Sequence, residues 1–306
     1  MNRLQTVEEA RGRWPGILSS LGVDQNFLRD VHGPCPICKG GKDRWRFDDR
    51  LNGSWFCSCC GSGDGFELLQ RLFGWDFKKA ADEVDRVLGT GIPKTEVKAE
   101  ATEEQKRRNM RGIMAGACKI IQGDPVWKYL ENRCQCDPSP FLGDLRFHPE
   151  LKHPEGGKHP AMLALMGWDG ARFHGVHRTW ITPDGRKADV VPNKASYGEL
   201  GQIRLGPAIC TMGIAEGIET AICAANLFGM PVWSGVCSEG LKKWAPPEGV
   251  KKVFIFGDHD ASFTGQEASF ALAKRLKREG FEIVVEIPPI AGNDWADVAC
   301  EKAKVA

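Results

Sequence analysis

Two cysteine pairs with the same internal spacing, Cys35-Pro-Ile-Cys38 and Cys57-Ser-Cys59-Cys60, stand 18 residues apart. No other feature restricts the fold so tightly. A Cys-x2-Cys turn presents two thiolates from one tight knuckle, and two knuckles complete the tetrahedron that zinc prefers. The spacing predicts a structural zinc held by Cys35, Cys38, Cys57 and Cys60, closed by four thiolates and so without an open position for substrate. Cys59 is left over inside the second pair, and His32 is read as a loop residue rather than a ligand. Between the knuckles, Arg44-Trp45-Arg46-Phe47 and Ser54-Trp55-Phe56 alternate as the strands of a hairpin do, which makes the expected element a zinc ribbon.

The same segment bears on partners. Lys42, Arg44, Arg46 and Arg50 are interleaved with Trp45, Phe47 and Trp55. Interleaved cations and aromatics suit a surface that stacks bases while contacting phosphates, with Arg44, Trp45, Arg46 and Trp55 as its candidates. The competing reading is that the aromatics are the small core a ribbon needs and the arginines are solvated. The chain as a whole is not basic, with 41 Lys plus Arg against 40 Asp plus Glu. Any nucleic-acid contact therefore depends on local patches and is sensitive to salt.

Only five of the 12 cysteines belong to the ribbon segment. The N-terminus lacks the apolar stretch of a secretory signal, so the expected compartment is the reducing cytoplasm, where the remaining cysteines pack as small apolar residues rather than as disulfides. The longest apolar runs, Ala161–Met166 and Val253–Phe256, are far short of the ~20 residues that span a bilayer, so no membrane partner is expected.

At 306 residues the chain has room for two or three domains. Residues 1–90 read as the ribbon domain, with a helical lead-in over Val7–Leu21 that carries a Thr6-x-x-Glu9 capping box and meets a break at Trp14-Pro15. Apolar residues at helical spacing follow in Phe66–Phe73 and Phe77–Leu88. A polar stretch, 91–112, reads as linker. Residues 113–205 read as a second unit, with a helix from Ile113 to Arg133 and strands at Ala161–Met166, Phe173–Ile181 and Lys187–Val191. Over 206–306 the rhythm is regular: strands Ile209–Ala215, Pro231–Val236, Lys251–Phe256 and Glu282–Ile287 alternate with helices Gly217–Phe228, Glu239–Trp244, Thr264–Glu279 and Asp294–Ala303. That alternation implies an α/β core, a mostly parallel sheet with helices on both faces.

Acids recur where that sheet would bind a ligand. Glu216 directly follows the first strand, and Asp258 and Asp260 directly follow the third. In an open α/β sheet the carboxyl ends of neighbouring strands share a crevice, and hard oxygen ligands there suit Mg²⁺ or Mn²⁺. Asp294 and Asp297, past the fourth strand, could add a carboxylate at the rim.

Glu216-Gly-Ile-Glu219-Thr-Ala221, Gly257-Asp-His-Asp260 and Asp294-Trp-Ala-Asp297 together resemble the Toprim domain of phage- and plasmid-type DNA primases. The ribbon, with Lys42-Asp-Arg-Trp-Arg-Phe47 and Gly63-Asp-Gly-Phe66, is similar to the ribbon of those enzymes, and Leu145–Pro149, Pro160–Met162 and His177–Trp180 match in style. The resemblance implies a nucleotidyltransferase that builds short RNA primers from ribonucleoside triphosphates on a single-stranded DNA template. It implies that Glu216, Asp258 and Asp260 are the catalytic, metal-binding acids. Basic residues between the two ends, with Arg178, Lys187 and Lys194 the candidates, would then meet nucleotide or template phosphates. Because Gly41-Lys42 and Gly157-Lys158 lack the rest of a phosphate-binding loop, a helicase or replication initiator is expected on another chain. Two alternatives stand beside this reading: a Toprim-type nuclease or repair protein, and a DNA-binding replication accessory factor without catalysis. A topoisomerase is disfavoured, since Tyr129 and Tyr197 are the only tyrosines and neither lies in a segment long enough for the domain that would carry such a nucleophile.

Overall fold

A computed structural model describes residues 3–93, 102–167 and 173–305. The chain divides into two compact units, residues 1–101 and 102–306. In the N-terminal unit, α1 (Arg3–Ala10) and α2 (Trp14–Ser20) precede a three-stranded antiparallel sheet of β1 (Trp45–Asp49), β2 (Ser54–Cys57) and β3 (Gly61–Gly63). Helices α3 (Gly65–Phe73) and α4 (Phe77–Leu88) follow. The lead-in is broken, as expected, but ahead of Trp14: it forms two helices, and Pro15 sits in the first turn of α2, where its missing N–H is harmless. Thr6 is not a cap: it lies inside α1 with its hydroxyl buried and unbonded. Asp64 and Asp76 are true caps, accepting from Glu67 N at 2.9 Å and Lys79 N at 2.7 Å.

In the second unit, α5 (Glu103–Met114) occupies the C-terminal part of the stretch expected to be linker; residues 94–101 of that stretch lie outside those described. Thr102 caps α5, and Met110, Ile113 and Met114, spaced along one side, pack on the sheet that follows. Three apolar residues at the end of a polar run suffice for a helix, which is why composition alone misreads it. The helix expected over 113–133 is interrupted: Gly116 has φ of 90°, and α6 (Pro125–Cys134) starts afresh behind the Asp124 cap, whose carboxylate accepts from Trp127 N at 2.8 Å.

Next comes an antiparallel meander, β4 (Leu145–Lys152), β5 (Lys158–Met166), β6 (Gly175–Trp180) and β7 (Lys194–Gly198), in that spatial order. Two expected strands appear as β5 and β6. The third, Lys187–Val191, is a loop with only a single bridge from Lys187 to Ile181, and the pairing strand is β7 a few residues later.

The last hundred residues follow the expected alternation: β8 (Thr211–Ala215), α7 (Ile218–Phe228), β9 (Val232–Ser234), α8 (Ser238–Lys243), β10 (Lys252–Phe256), α9 (Thr264–Arg278), β11 (Glu282–Glu286) and α10 (Trp295–Val305). All four strands are parallel, in the order β11-β10-β8-β9. Along β8, Met212 and Ile214 face α8 and α9, while Ala215 joins α7, α10 and Phe256 on the opposite face, so helices cover both sides. Met162, Ala164 and Met166 of β5 enter the α7 side, which joins the meander to the parallel sheet through one hydrophobic core. Among the described residues no helix is long and apolar enough to cross a membrane.

Candidate metal centres and nucleic-acid contacts

Alternation along the ribbon strands puts Trp45, Phe47, Trp55 and Cys57 inside and Arg46 and Phe56 outside. The β1–β2 register sets Trp45 opposite Cys57, which carries the second knuckle to the first. The four sulfur atoms of Cys35, Cys38, Cys57 and Cys60 lie within 4.8 Å of one another, with Cys35 Sγ and Cys60 Sγ 3.9 Å apart. Thiolates about 2.3 Å from a tetrahedral zinc are about 3.8 Å apart, so the quartet fits the ion and the N-terminal unit is a four-cysteine zinc ribbon. Desolvation pushes the Cys35 and Cys60 thiols up. It would raise Cys38 as well, but hydrogen bonds involving Cys60, Cys35, the Gly40 amide and Arg44 bring that thiol down to about 6. Cys59 stays outside the quartet, and His32 Nδ1 is 2.8 Å from the Asp43 carbonyl oxygen, away from the sulfurs.

The two tryptophans expected on a stacking surface are core instead. Trp45 and Trp55 are 1% and 2% exposed, stack on each other at 5.3 Å, and donate their indole N–H groups to Phe27 O at 2.8 Å and Asp64 O at 2.9 Å. A small domain has few large side chains with which to exclude water, so its tryptophans go inside. Arg44 lies against Cys38, and Arg46 pairs with Asp30. The aromatic residue on the open face is Phe56, 52% exposed and directly opposite Arg46. Simple alternation from Trp55 would have found it.

In the second unit, the chain runs from β8 to β9 on one side and then returns to β10 on the other. That reversal opens a crevice at the carboxyl ends of β8 and β10. Ala215 and Phe256 are register partners, so Glu216 and Gly257 leave the sheet side by side. The Ser234 hydroxyl donates to the Glu216 carbonyl oxygen at 2.8 Å and steadies that exit. Burial, then the nearby Asp260 charge, raises the Glu216 carboxyl. Asp258 is pushed up to about 7 by burial first, then by the charges of Glu216, Asp294, Asp260 and Asp297. Its Oδ1 is buried and has no hydrogen-bond partner.

Asp260 is held differently. Burial pushes it up, but the Ser262 hydroxyl at 2.5 Å and the backbone N–H groups of Gly265 at 2.8 Å and Thr264 at 3.2 Å outweigh that and hold it below the ordinary carboxylate range. Gly265 lets the backbone approach closely there, because a Cβ would crowd both the Asp258 carbonyl oxygen and Asp260 Oδ2 at 3.0 Å. Asp294 and Asp297 cap the start of α10: Asp294 Oδ1 accepts from Ala296 N at 2.7 Å and Asp297 N at 2.9 Å, and Asp297 Oδ2 accepts from Asp294 N at 3.1 Å.

Among the described residues the four cysteines are the only group of three or more His, Cys, Asp or Glu whose ligand atoms all lie within 4.8 Å of one another, so the carboxylates form a looser group than the thiols. A hydrated divalent cation does not need a tight cluster, because it takes one or two carboxylates and keeps several waters or phosphate oxygens. Asp258, with an orphaned buried oxygen and a carboxyl raised by burial and then by like charges, is a place where such a cation fits.

Glu219, the second acid of the Glu-Gly-x-Glu motif, has another task. It is buried, takes both hydrogen bonds of Lys194 Nζ at 2.9 and 3.1 Å, and accepts the hydroxyl of Tyr129. Burial alone would raise it; the Lys194 ammonium and the bonds from Tyr129 and Lys194 overcome that and hold it far below the usual range. Residue types alone gave no sign of this role, because its partners come from β7 and α6.

The three basic candidates do not form one patch. Lys194 is committed to Glu219. Lys187 is exposed by surface area, yet the atoms crowded around its ammonium and then the Lys194 charge bring it down, and it lines a hollow of about 310 Å³ with Tyr129, Asn132, Arg133 and Arg186. In the β6–β7 register Arg178 pairs with Ala195 and Thr179 with Lys194, so Arg178 and Lys194 point to opposite faces of the meander. Arg178 stacks on Trp180 at 5.1 Å and lines a separate groove of about 900 Å³ with Arg108, His148, Lys152 and Tyr197.

Comparison with known proteins adds to this geometry. Residues 211–304 match the Toprim domain family, 31–66 match the zinc-binding domain of primase-helicase, and 104–205 match a domain family of unknown function. Among solved structures, the chain is similar to the zinc-binding and RNA polymerase domains of Aquifex aeolicus primase, at 14% identity over 98% of this chain and 83% of that one, with a TM-score of 0.44. It is similar to a DNA primase domain from Pseudomonas aeruginosa at 13% identity over 52% of this chain and 53% of that one, with a TM-score of 0.35. The RNA polymerase domain of Mycobacterium tuberculosis primase is similar at 11% identity over 51% of this chain and 57% of that one, with a TM-score of 0.31. In domain content the chain is primase-like: a primase-type zinc ribbon and a Toprim domain.

Proposed function

We propose that this chain is a DNA primase of the compact phage or plasmid type, making short RNA primers on single-stranded DNA. The observation that carries the reading is Asp258, whose Oδ1 is buried without a hydrogen-bond partner and whose carboxyl feels the charge of Glu216 at the reversal of a Toprim sheet, in a chain that also holds a primase-type ribbon. Glu216, Asp258 and Asp260 would hold Mg²⁺ or Mn²⁺, with Asp297 as an outer ligand. When bound, that cation neutralises the charge that builds up as one nucleotide's 3′-oxygen displaces pyrophosphate from the next.

The chain's own residues supply position. The ribbon offers Arg46 and Phe56 to the template in place of the buried tryptophans, and zinc keeps that face rigid. Lys187 and Arg133, lining the hollow next to Tyr129, would meet triphosphate oxygens. Lys194 acts from behind them, held by Glu219. Arg178 lies on the far face and would touch the template rather than the incoming nucleotide. Strand separation would fall to a helicase or initiator on another chain.

The test is primer synthesis on single-stranded circular DNA with labelled ribonucleotides and Mg²⁺ or Mn²⁺. Short labelled oligomers from the wild type and none from Asp258→Ala support the reading. Shortened template without oligomers would replace it with a nuclease. Neither product, with template binding intact, would leave an accessory DNA-binding factor.

A further inference from the structure

The groove beside α5 carries three features that the fold does not account for. The first is Arg178, half-buried over Trp180, with no carboxylate among the described residues within 4.0 Å. Burial brings its guanidinium down, and its bonds to the Ala195 and Ser196 carbonyl oxygens are long, at 3.3 and 3.5 Å. A desolvated cation without an acid partner is costly until an anion comes to it.

The second is a pair of like charges. Lys152 and Lys158 stand directly opposite each other in the β4–β5 register, where like charges repel. Glu150 relieves Lys158 at 3.2 Å, while Lys152 has no carboxylate within 4.0 Å among the described residues. The third is Gly112, inside α5. Glycine weakens a helix, and no neighbour calls for one here, since a Cβ would meet nothing within 4 Å. Gly112 lines the groove, so its missing side chain leaves the groove wider.

These features converge. The groove, of about 900 Å³, gathers Arg108, Lys152, Lys158 and Arg178 around one acid, Glu150, in a chain whose net charge is only +1. Tyr197, half-buried, adds an aromatic ring. Cations along a groove with a ring in it are what a single strand needs, phosphates on the one and a base on the other. A duplex keeps its bases inside and has no face to offer Tyr197. The reacting nucleotides belong elsewhere: Val176 and Trp180, which flank Arg178 on its strand, pack with α5, whereas the meander meets the Toprim sheet through Met162, Ala164 and Met166 on its other face.

We propose that the groove between α5 and the meander seats the single-stranded DNA template, with Arg108, Lys152 and Arg178 on its phosphates and Tyr197 under a base. The choice of template as the occupant rests on the primase reading above. The seat lies away from the carboxylates, so it holds the strand without taking part in the transfer step.

The test is anisotropy of labelled single-stranded oligo-dT, with oligo-rU and a DNA duplex beside it, on the full zinc-loaded chain without ribonucleotide or divalent metal. Gly112→Glu places a carboxylate in the groove where a side chain has room. It should weaken oligo-dT binding by about tenfold or more while its melting temperature holds or rises. Arg108→Gln/Lys152→Gln changes two exposed side chains and should reduce the slope of log affinity against log salt by about 1.4, the share of two phosphate contacts on a single strand. Both losses with oligo-dT support the seat, whether or not oligo-rU follows. Unchanged oligo-dT affinity in Gly112→Glu, an unchanged salt slope in the double variant, or losses confined to oligo-rU or duplex overturn it. Should Gly112→Glu melt lower than wild type, the salt slope of the double variant decides alone. Primer synthesis by the same wild-type sample judges the other reading separately: no primers, with the groove effects intact, sinks the primase and leaves the DNA seat.

Discussion

Replacing Asp258 by Asn should abolish synthesis and at the same time make the second unit more stable. The Asp258 carboxyl is pushed from the ordinary 3.8 to about 7 by burial and by the charges of Glu216, Asp294, Asp260 and Asp297. At about 1.4 kcal/mol for each pKa unit, that displacement is worth up to about 4 kcal/mol. The direction follows from linkage. A carboxyl whose folded pKa is raised carries no penalty below its unfolded value, and the stability it leaves intact there is lost as pH rises through about 7. Wild type and Asp258→Asn should therefore melt together near pH 4 and diverge by several degrees at pH 8, the variant higher. The assay is thermal unfolding across that range in buffer without added divalent cation, followed at the transition of the second unit so that the zinc ribbon does not interfere. Added Mg²⁺ should then raise wild type more than the variant, because only wild type has the repelled carboxylate to neutralise. A variant that melts below wild type at pH 8, or a gap that does not change with pH, would refute this account of Asp258.

Three other outcomes follow from the same contacts. Removing zinc, or Cys38→Ser, should unfold the ribbon while leaving the melting of the second unit in place, read by separate transitions in calorimetry; one joint loss would contradict the two-unit division. Trp55→Ala should cost the N-terminal unit about 3–5 kcal/mol in denaturant melts, whereas Phe56→Ala should leave the midpoint unmoved and lower affinity for single-stranded DNA. Glu219→Gln should cost about 3 kcal/mol at neutral pH by stranding Lys194 and should lower synthesis as well. Glu219 is held below its ordinary value, so its contribution is full above about 4.3 and erodes as pH falls from there; urea melts at pH 7 and pH 3 should show the variant's deficit shrinking.

Local rules carried far in this chain. Ligand spacing alone identified the zinc quartet, because a knuckle of four residues determines where its two sulfurs stand whatever surrounds it. Alternating strands and helices identified the parallel sheet, and motif position put Glu216 and Asp258 at the ends of strands that turned out to be neighbours. Where period and composition pointed in different directions, the reading slipped: α5 hides in a polar run, and Gly116 cuts a helix that the apolar spacing joins. Which side of an element faces inward was a matter for the tertiary structure. Trp45 and Trp55 turn into the core because a domain this small needs them there, leaving Phe56 outside. Arg178 and Lys194 part company because neighbouring register pairs on a sheet point to opposite faces. Glu219 became a partner for Lys194 and Tyr129 only when β7 and α6 closed over it, since a charge is paired by what folding brings near and not by what precedes it in the chain.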